Sequence, residues 1–165
     1  MTTTAHASCT CGSVEFAAIG SPITSVICCC DDCQAGARQI EALPGAPGVR
    51  EPDGGTAYLL YRKDRFSCIR GEQLLQTLRL RENSPTRRVV AGCCNSAMFL
   101  DFEKGHWFSV YRARVADAPP PQMRIQTRFA AKGTEVGNDI PAYSAFSMKL
   151  VAKLLLARLG MLLRR

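Results

Sequence analysis

The sequence is poor in the residue that most often does acid–base work near neutral pH. It has two histidines in 165 residues. His6 lies in the N-terminal lead and His106 in a turn, so neither stands close in sequence to the cysteine cluster described below to serve as a general base. His106 reads as a half-exposed turn residue beside Trp107. Acidic residues stop at Asp139, so Lys149, Lys153, Arg158, Arg164 and Arg165 supply five of the seven excess positive charges and leave the rest of the chain at +2. A basic tail is not a basic groove, and no nucleic-acid partner is expected. Long apolar runs are missing too. The longest uncharged run in the charged C-terminal stretch is the five residues Leu159 to Leu163, against roughly 20 needed to cross a bilayer, so no transmembrane segment is expected. Met1-Thr2-Thr3-Thr4-Ala5-His6 has neither a basic nor an apolar leader region, which points to a reducing, cytoplasmic location.

Cysteine, by contrast, is abundant, with nine in the chain. Four of them fall within the six residues Cys28-Cys29-Cys30-Asp31-Asp32-Cys33, a density no hydrophobic core requires. In a reducing compartment such clusters are metal ligands rather than disulfides. Cys28, Cys30 and Cys33 form a Cys-x-Cys-x-x-Cys spacing, and one turn of that length can aim three sulfurs at one point. Three thiolates suit zinc, Zn2+, and leave one tetrahedral position open for water or substrate. Cys29 is expected to point away from its two neighbours. Asp31 and Asp32 read as turn-capping or supporting residues, with a base as the less favoured role.

The chain is long enough for one sizeable core. Residues 1–7 read as a disordered lead. Cys9-Thr10-Cys11-Gly12 is a second cysteine knuckle. Ser13 to Ile19 and Ile23 to Ile27 read as strands, the latter delivering the chain to Cys28. Gln34 to Leu43 has room for one or two helical turns, and Pro44 to Gly55, with three prolines and four glycines, is a loop. Strands are expected at Ala57–Tyr61, Arg65–Ile69, Leu74–Leu80, Ala97–Phe102 and Trp107–Val115, with Arg70-Gly71-Glu72 as a hairpin turn between the second and third. Such closely spaced short strands predict a mainly β core. Pro119-Pro120-Pro121 is expected to end it, followed by an irregular stretch from Met123 to Pro141. Ser144 to Arg165 has high helix propensity with a weak point at Gly160. Residues 8–118 then form the zinc-binding β domain, and 119–165 the irregular segment with the C-terminal amphipathic helix.

Cys9 and Cys11, with one or both of the distant Cys93 and Cys94, can close a second zinc site that pins an early strand to a late one. A closed site leaves no room for substrate, so its role is structural. Cys68 is alone on an apolar strand and reads as core.

The order Cys-x-Cys-Gly-x-Val-x-Phe (Cys9 to Phe16), Cys-x-Cys-x-x-Cys (Cys28 to Cys33), then a late cysteine turn with Cys94, Ser96 and Met98, resembles the glutathione-dependent formaldehyde-activating enzyme family, whose domain centromere protein V shares. The likeness runs from about residue 8 to residue 115. It implies a β-tent of small antiparallel sheets and two zinc ions. A structural zinc would use Cys9, Cys11 and a late Cys-x-x-Cys-Gly. The second zinc, at Cys28, Cys30 and Cys33, would lie where glutathione binds. The implied activity is that of a carbon–sulfur lyase of the S-(hydroxymethyl)glutathione-forming type. This sequence departs from the pattern where the late motif falls on Ala91, Gly92, Cys93, Cys94 and Asn95. Its first ligand is lost at Ala91. Either Cys93 replaces it, or the site has three thiolates plus water, or it stays empty. Asn95 is the better replacement for glycine if φ is positive. Cys29 is a further departure, since many relatives have histidine there.

The leading expectation is a zinc-dependent, carbon–sulfur lyase-like protein that handles glutathione or a similar small thiol and its aldehyde adduct. Arg62, Arg65, Arg70, Arg79, Arg87 and Arg88 are candidates for that ligand's carboxylates. The rival is a non-catalytic zinc-stabilised protein-interaction module. Its partner-binding element would be the C-terminal helix, with Phe146, Leu150, Val151, Leu154, Leu155, Leu159 and Leu162 on one side and Lys149, Lys153 and Arg164 on the other. That helix docks on its own domain, pairs with a second subunit to give a homo-oligomer, or lies on a membrane surface; docking on the domain is the favoured expectation.

Overall fold

The computed structural model describes residues 3–163; Met1, Thr2, Arg164 and Arg165, the last two counted above among the tail's charges, lie outside the described residues. Ten strands and two α-helices follow one another as β1 (Thr4–Ser8), β2 (Glu15–Ile19), β3 (Thr24–Cys28), α1 (Asp31–Glu41), β4 (Thr56–Arg62), β5 (Phe66–Arg70), β6 (Leu75–Leu78), β7 (Thr86–Ala91), β8 (Ser96–Phe102), β9 (Trp107–Tyr111), β10 (Arg124–Ile125) and α2 (Met148–Leu162). A three-stranded sheet has the order β1-β2-β5, and a seven-stranded sheet the order β10-β3-β4-β9-β8-β7-β6. The protein is mainly β, as the strand spacing predicts, with a C-terminal helix. Pairing is antiparallel throughout except for β10 beside β3.

The centre of the larger sheet is buried on both faces, and β4 shows why. Its side chains alternate. Leu59 and Tyr61 enter one core with Phe16, Phe66, Phe99 and Val110, beneath the three-stranded sheet. Tyr58 and Leu60 enter the other, with Ile40 of α1, Leu100, Met123 and Leu150 of α2. The first core is aromatic: Phe16 and Phe66 stack at 4.8 Å, and Phe99 meets Phe16 edge-on at 5.2 Å. The small sheet thus covers one face and the helices the other.

Several segments differ from the expectations. The lead is not disordered: residues 4–8 form β1, paired along its whole length with β2 from Thr4↔Ile19 to Ser8↔Glu15. The pairing buries Ala7 and satisfies backbone groups that a free lead would leave to water. The first helix is longer and starts earlier than Gln34, spanning three turns from Asp31, because Cys30 caps it and Gly36, Ala37 and Ile40 give it a buried side. Gly71 is not a hairpin turn, since β5 and β6 belong to different sheets. It has φ of 80° and lies against Ser13, whose carbonyl a Cβ would meet at 2.3 Å. There the chain leaves one sheet for the other, and only glycine fits. The triple proline does not end the core, for Met123 and Ile125 are buried beyond it and β10 extends the sheet. The final helix begins at Met148, capped by Ser147, whose hydroxyl accepts from the Leu150 N–H at 3.1 Å, and it runs through Gly160 without a break.

A candidate pair of thiol clusters

The cysteines gather at two places. In each, the thiol sulfurs all lie within 4.8 Å of one another: Cys9, Cys11, Cys93 and Cys94 in one, Cys28, Cys30 and Cys33 in the other.

The first cluster sits where two turns meet. Cys9 and Cys11 occupy the β1–β2 connection, Cys93 and Cys94 the β7–β8 connection. The Sγ–Sγ separations are 3.6 Å for Cys9–Cys11, 3.9 Å for Cys9–Cys93, 3.3 Å for Cys11–Cys93 and 3.9 Å for Cys93–Cys94. Four sulfurs around one zinc at 2.3 Å would sit about 3.8 Å apart, so this donor set fits a tetrahedral ion. Cys93, not the position of Ala91, brings the fourth sulfur to this cluster. Adjacent residues seldom aim at one point. Here a tight turn lets them do so, with the Cys94 N–H donating to Ala91 O at 3.2 Å and Asn95 following at φ 52°. The positive φ expected at Asn95 is therefore present.

Hydrogen bonds orient these sulfurs. The Val14 N–H donates to Cys9 Sγ at 3.2 Å, Cys11 Sγ lies 3.3 Å from Ser13 Oγ, and Cys94 Sγ lies 3.1 Å from Ser96 Oγ. Arg114 closes the network behind them, donating to Thr10 Oγ1 at 2.8 Å and to Ser96 Oγ at 3.3 Å. Ser13, with its hydroxyl and backbone N–H, is the main reason that the Cys11 thiol is held down at about 6. Burial lowers the Arg114 pKa, against the pull of Cys94 and Cys9. Arg114 was not legible as a supporting residue, because it lies 20 positions beyond Cys94.

The second cluster is local. β3 ends at Cys28, Cys30 is the N-cap of α1 and Cys33 sits in its first turn, where its N–H donates to Cys30 Sγ at 3.4 Å. A sulfur stands where a hydroxyl or carboxylate usually caps a helix, and the helix N-terminus favours its negative charge. Cys28 and Cys33 are buried and Cys30 is half-buried. The Cys28 and Cys33 thiols, hydrogen-bonded to Cys30, pull its pKa down to about 3, and Arg88 adds to the pull. The proton stays on Cys28, pushed up to about 12 chiefly by its hydrogen bond to Cys30, and on Cys33, raised well above the thiol range by its hydrogen bonds to Cys28 and Cys30 and by burial. One negative charge, centred on Cys30, is what three close thiols can hold without a cation.

Arg88 is a cation beside this cluster. Its side chain is 1% exposed, its Nη2 donates to Asp32 O at 2.5 Å, and its Nη1 has no hydrogen-bond partner. Gly36 of α1 lies on the guanidinium so closely that a Cβ there would stand 1.8 Å from Arg88 Nε. No carboxylate pairs with Arg88 among the described residues, and its positive charge favours the thiolate form of Cys30. The tyrosines Tyr58 and Tyr111 pack at 5.0 Å behind the buried thiols, in the same core as Cys28 and Cys33.

The other expected residues take bland places. Cys29 points away, as its position in an extended turn requires, and is buried with Ile27 and Ala57. Cys68 is half-buried against the aromatic core. Asp31 and Asp32 are exposed on the first turn of α1. Arg62, Arg70, Arg79 and Arg87 are engaged by Asp64, Glu15, Glu103 and Asp101, respectively. His106 is more than a turn residue, since its Nε2 lies 2.8 Å from Leu154 O and ties α2 to the β8–β9 connection.

The model of the glutathione-dependent formaldehyde-activating enzyme family matches residues 4–43. That segment holds both early cysteine motifs and neither Cys93 nor Cys94, so the resemblance read from the residues is met over the first quarter of the chain. No curated protein matches. Among solved structures, a Rhodobacter sphaeroides protein is similar at a TM-score of 0.47 and 15% identity, over 70% of this chain and 91% of that one.

Proposed function

We propose that the chain is a zinc-dependent protein of carbon–sulfur lyase type that binds glutathione or a similar small thiol, with its aldehyde adduct, at Cys28, Cys30 and Cys33. The observation that carries this reading is the unequal donor count. One cluster supplies four sulfurs at tetrahedral spacing. The other supplies three, although Cys29 and two carboxylates lie beside it in sequence. Zinc held by Cys28, Cys30 and Cys33 would lower the pKa of an incoming thiol, so that the nucleophile forms at neutral pH.

The chain's own residues then do three things. Cys30, half-buried between two buried thiols, marks the side from which a fourth ligand enters. Arg88 and the α1 N-terminus offset the negative charge of three thiolates, which would otherwise repel a fourth anion. Tyr58 and Tyr111 close the apolar floor and keep water from the buried side of Cys28 and Cys33. Asp31 and Asp32, exposed at the entrance, remain for proton exchange with solvent or substrate.

Titrating the cobalt-substituted chain with glutathione tests this. A thiolate joining the metal strengthens the sulfur-to-cobalt charge-transfer bands. An unchanged spectrum at millimolar glutathione, with metal still bound, removes the reading. It would leave the second one, a zinc-stabilised interaction module without turnover, which the largely uncovered apolar side of α2 favours.

A further inference from the structure

Helix α2 touches the domain along one narrow edge. Leu150 is 1% exposed and Leu154 half-buried. His106 holds Leu154 O at 2.8 Å, and Lys153 Nζ reaches inward to Gln122 Oε1 at 2.7 Å and Thr24 Oγ1 at 3.3 Å. The opposite side is apolar and open. Met148 is 81% exposed, Leu156 68%, Leu155 58%, Leu162 56%, Leu159 54% and Val151 37%. At about 100° per residue these six fall in a single arc of about 140° that contains no polar side chain. Exposed Arg158 stands just beyond one margin of the arc and exposed Lys149 just beyond the other.

We infer that this face of α2 lies in the interface of a bilayer with an anionic surface. The arc would point its leucines into the acyl boundary, and the long cation at each margin would reach its charge up to the lipid phosphates. The helix is 15 residues long, or about 22 Å, too short for a hydrocarbon core of about 30 Å, so it lies flat. No helix among the described residues is long and apolar enough to cross a membrane. Charge chooses between a lipid surface and a second copy of the chain. Two α2 faces packed on one another would bring Lys149 and Arg158 of both chains to the same seam, and no acidic residue follows Asp139 to meet them. Anionic headgroups do meet them.

Co-sedimentation of the full chain with vesicles tests the inference. One set is pure phosphatidylcholine, the other phosphatidylcholine with phosphatidylserine, each at low and high salt. The expected result is binding to the anionic vesicles at least about tenfold tighter than to the neutral ones, weakened by salt. The double variant Leu155→Glu/Leu159→Glu should lose about tenfold or more of that binding. Both residues are exposed, so circular dichroism and metal content should match the unaltered chain. Absence of binding to either vesicle overturns the proposal, as does equal binding to both. So does a dimer in light scattering that the double variant dissociates while vesicles bind nothing; the face would then belong to a second copy.

Discussion

The four-thiol cluster is complete but exposed at Cys11 and Cys93, whereas the three-thiol cluster is incomplete and buried at Cys28 and Cys33. They differ also in what they join. Cys11 and Cys93 are 82 residues apart, in turns of different sheets, so a metal there would close a long loop and fasten the β1–β2 hairpin to the larger sheet. Cys28 to Cys33 closes six residues that β3 and α1 already hold in place. Closing a long loop removes much more chain entropy than closing a short one. On the function proposed above, the comparison teaches a division between the clusters: with metal bound, the distant, closed one would hold the fold, and the local, open one would be free to exchange a ligand.

Substituting the two clusters gives the sharpest separation. Cys9→Ser removes a buried thiol that also accepts from the Val14 N–H. We expect it to release one metal equivalent and to cost several kcal/mol, a fall in melting temperature on the order of 10 °C. Cys30→Ser should release one equivalent as well, with less than half that loss of stability. Cys29→Ser, outside both clusters, should keep all the metal. Equal melting temperatures for Cys9→Ser and Cys30→Ser, measured beside metal content, would break the division of labour.

Metal affinity at the local cluster should depend steeply on pH. In the metal-free protein Cys30, at about 3, is a thiolate at neutral pH, while Cys28, at about 12, and Cys33, higher than usual, keep their protons. A cation that takes all three sulfurs must therefore expel two protons. Raising pH favours binding, by about 100-fold per unit across pH 6 to 8. Competition with a chelator over that range, in Cys9→Ser protein so that the other cluster does not contribute, measures the slope. A slope of one proton would mean that Cys28 or Cys33 is already ionised.

Part of this is legible in the sequence alone. The Cys-x-Cys-x-x-Cys spacing identifies the local cluster because its three thiols lie within one turn, where sequence distance and spatial distance agree. The bystander role of Cys29 follows from the same geometry. The rest depended on contacts between distant residues. Whether Cys93 could stand in for Ala91 turns on a backbone turn that no spacing rule specifies. Arg114, in the short helical turn after β9, and Tyr58, on β4, reach their clusters from elements distant in sequence. The lead became β1 because β2 offers it an edge to pair with, and α1 outgrew its expected one or two turns because Arg88 and Ile40 bury its inner side. The C-terminal helix was legible as a helix, but not which edge of it the domain would cover.

Gly36→Ala disturbs the local cluster alone. Arg88 is too buried to swing away from a Cβ 1.8 Å from its Nε and 2.7 Å from its Cδ, so α1 must shift. A cost of about 2 kcal/mol follows from such overpacking. Metal retention at Cys9, Cys11, Cys93 and Cys94 should be unaffected, while cobalt spectra of the local site should change. An unperturbed spectrum and melting temperature would show that Arg88 does not rest on the helix as described.

The smallest effect comes from Asn95, which ties the turn of the four-thiol cluster to the loop after α1. Asn95 follows Cys94 with φ 52°, and its side-chain Nδ2 donates to Pro44 O at 2.9 Å, in the loop just after α1. Two terms are therefore separable. Asn95→Ala loses the hydrogen bond and keeps the left-handed backbone, which alanine resists at about 1 kcal/mol, so a total near 1.5 kcal/mol is expected. Asn95→Gly loses the same bond but relieves the strain, and the expected cost is about 0.5 kcal/mol. Chemical denaturation of the three proteins, each with its metal, resolves differences of that size. Equal costs for the two variants would mean that φ is not positive in solution, and the turn that lets Cys93 and Cys94 share one point would need another explanation. A glycine variant more stable than the asparagine would mean that the bond to Pro44 adds nothing. In that case the loop after α1 and the turn after Cys94 are independent, and the two clusters can lose or gain metal without sensing one another.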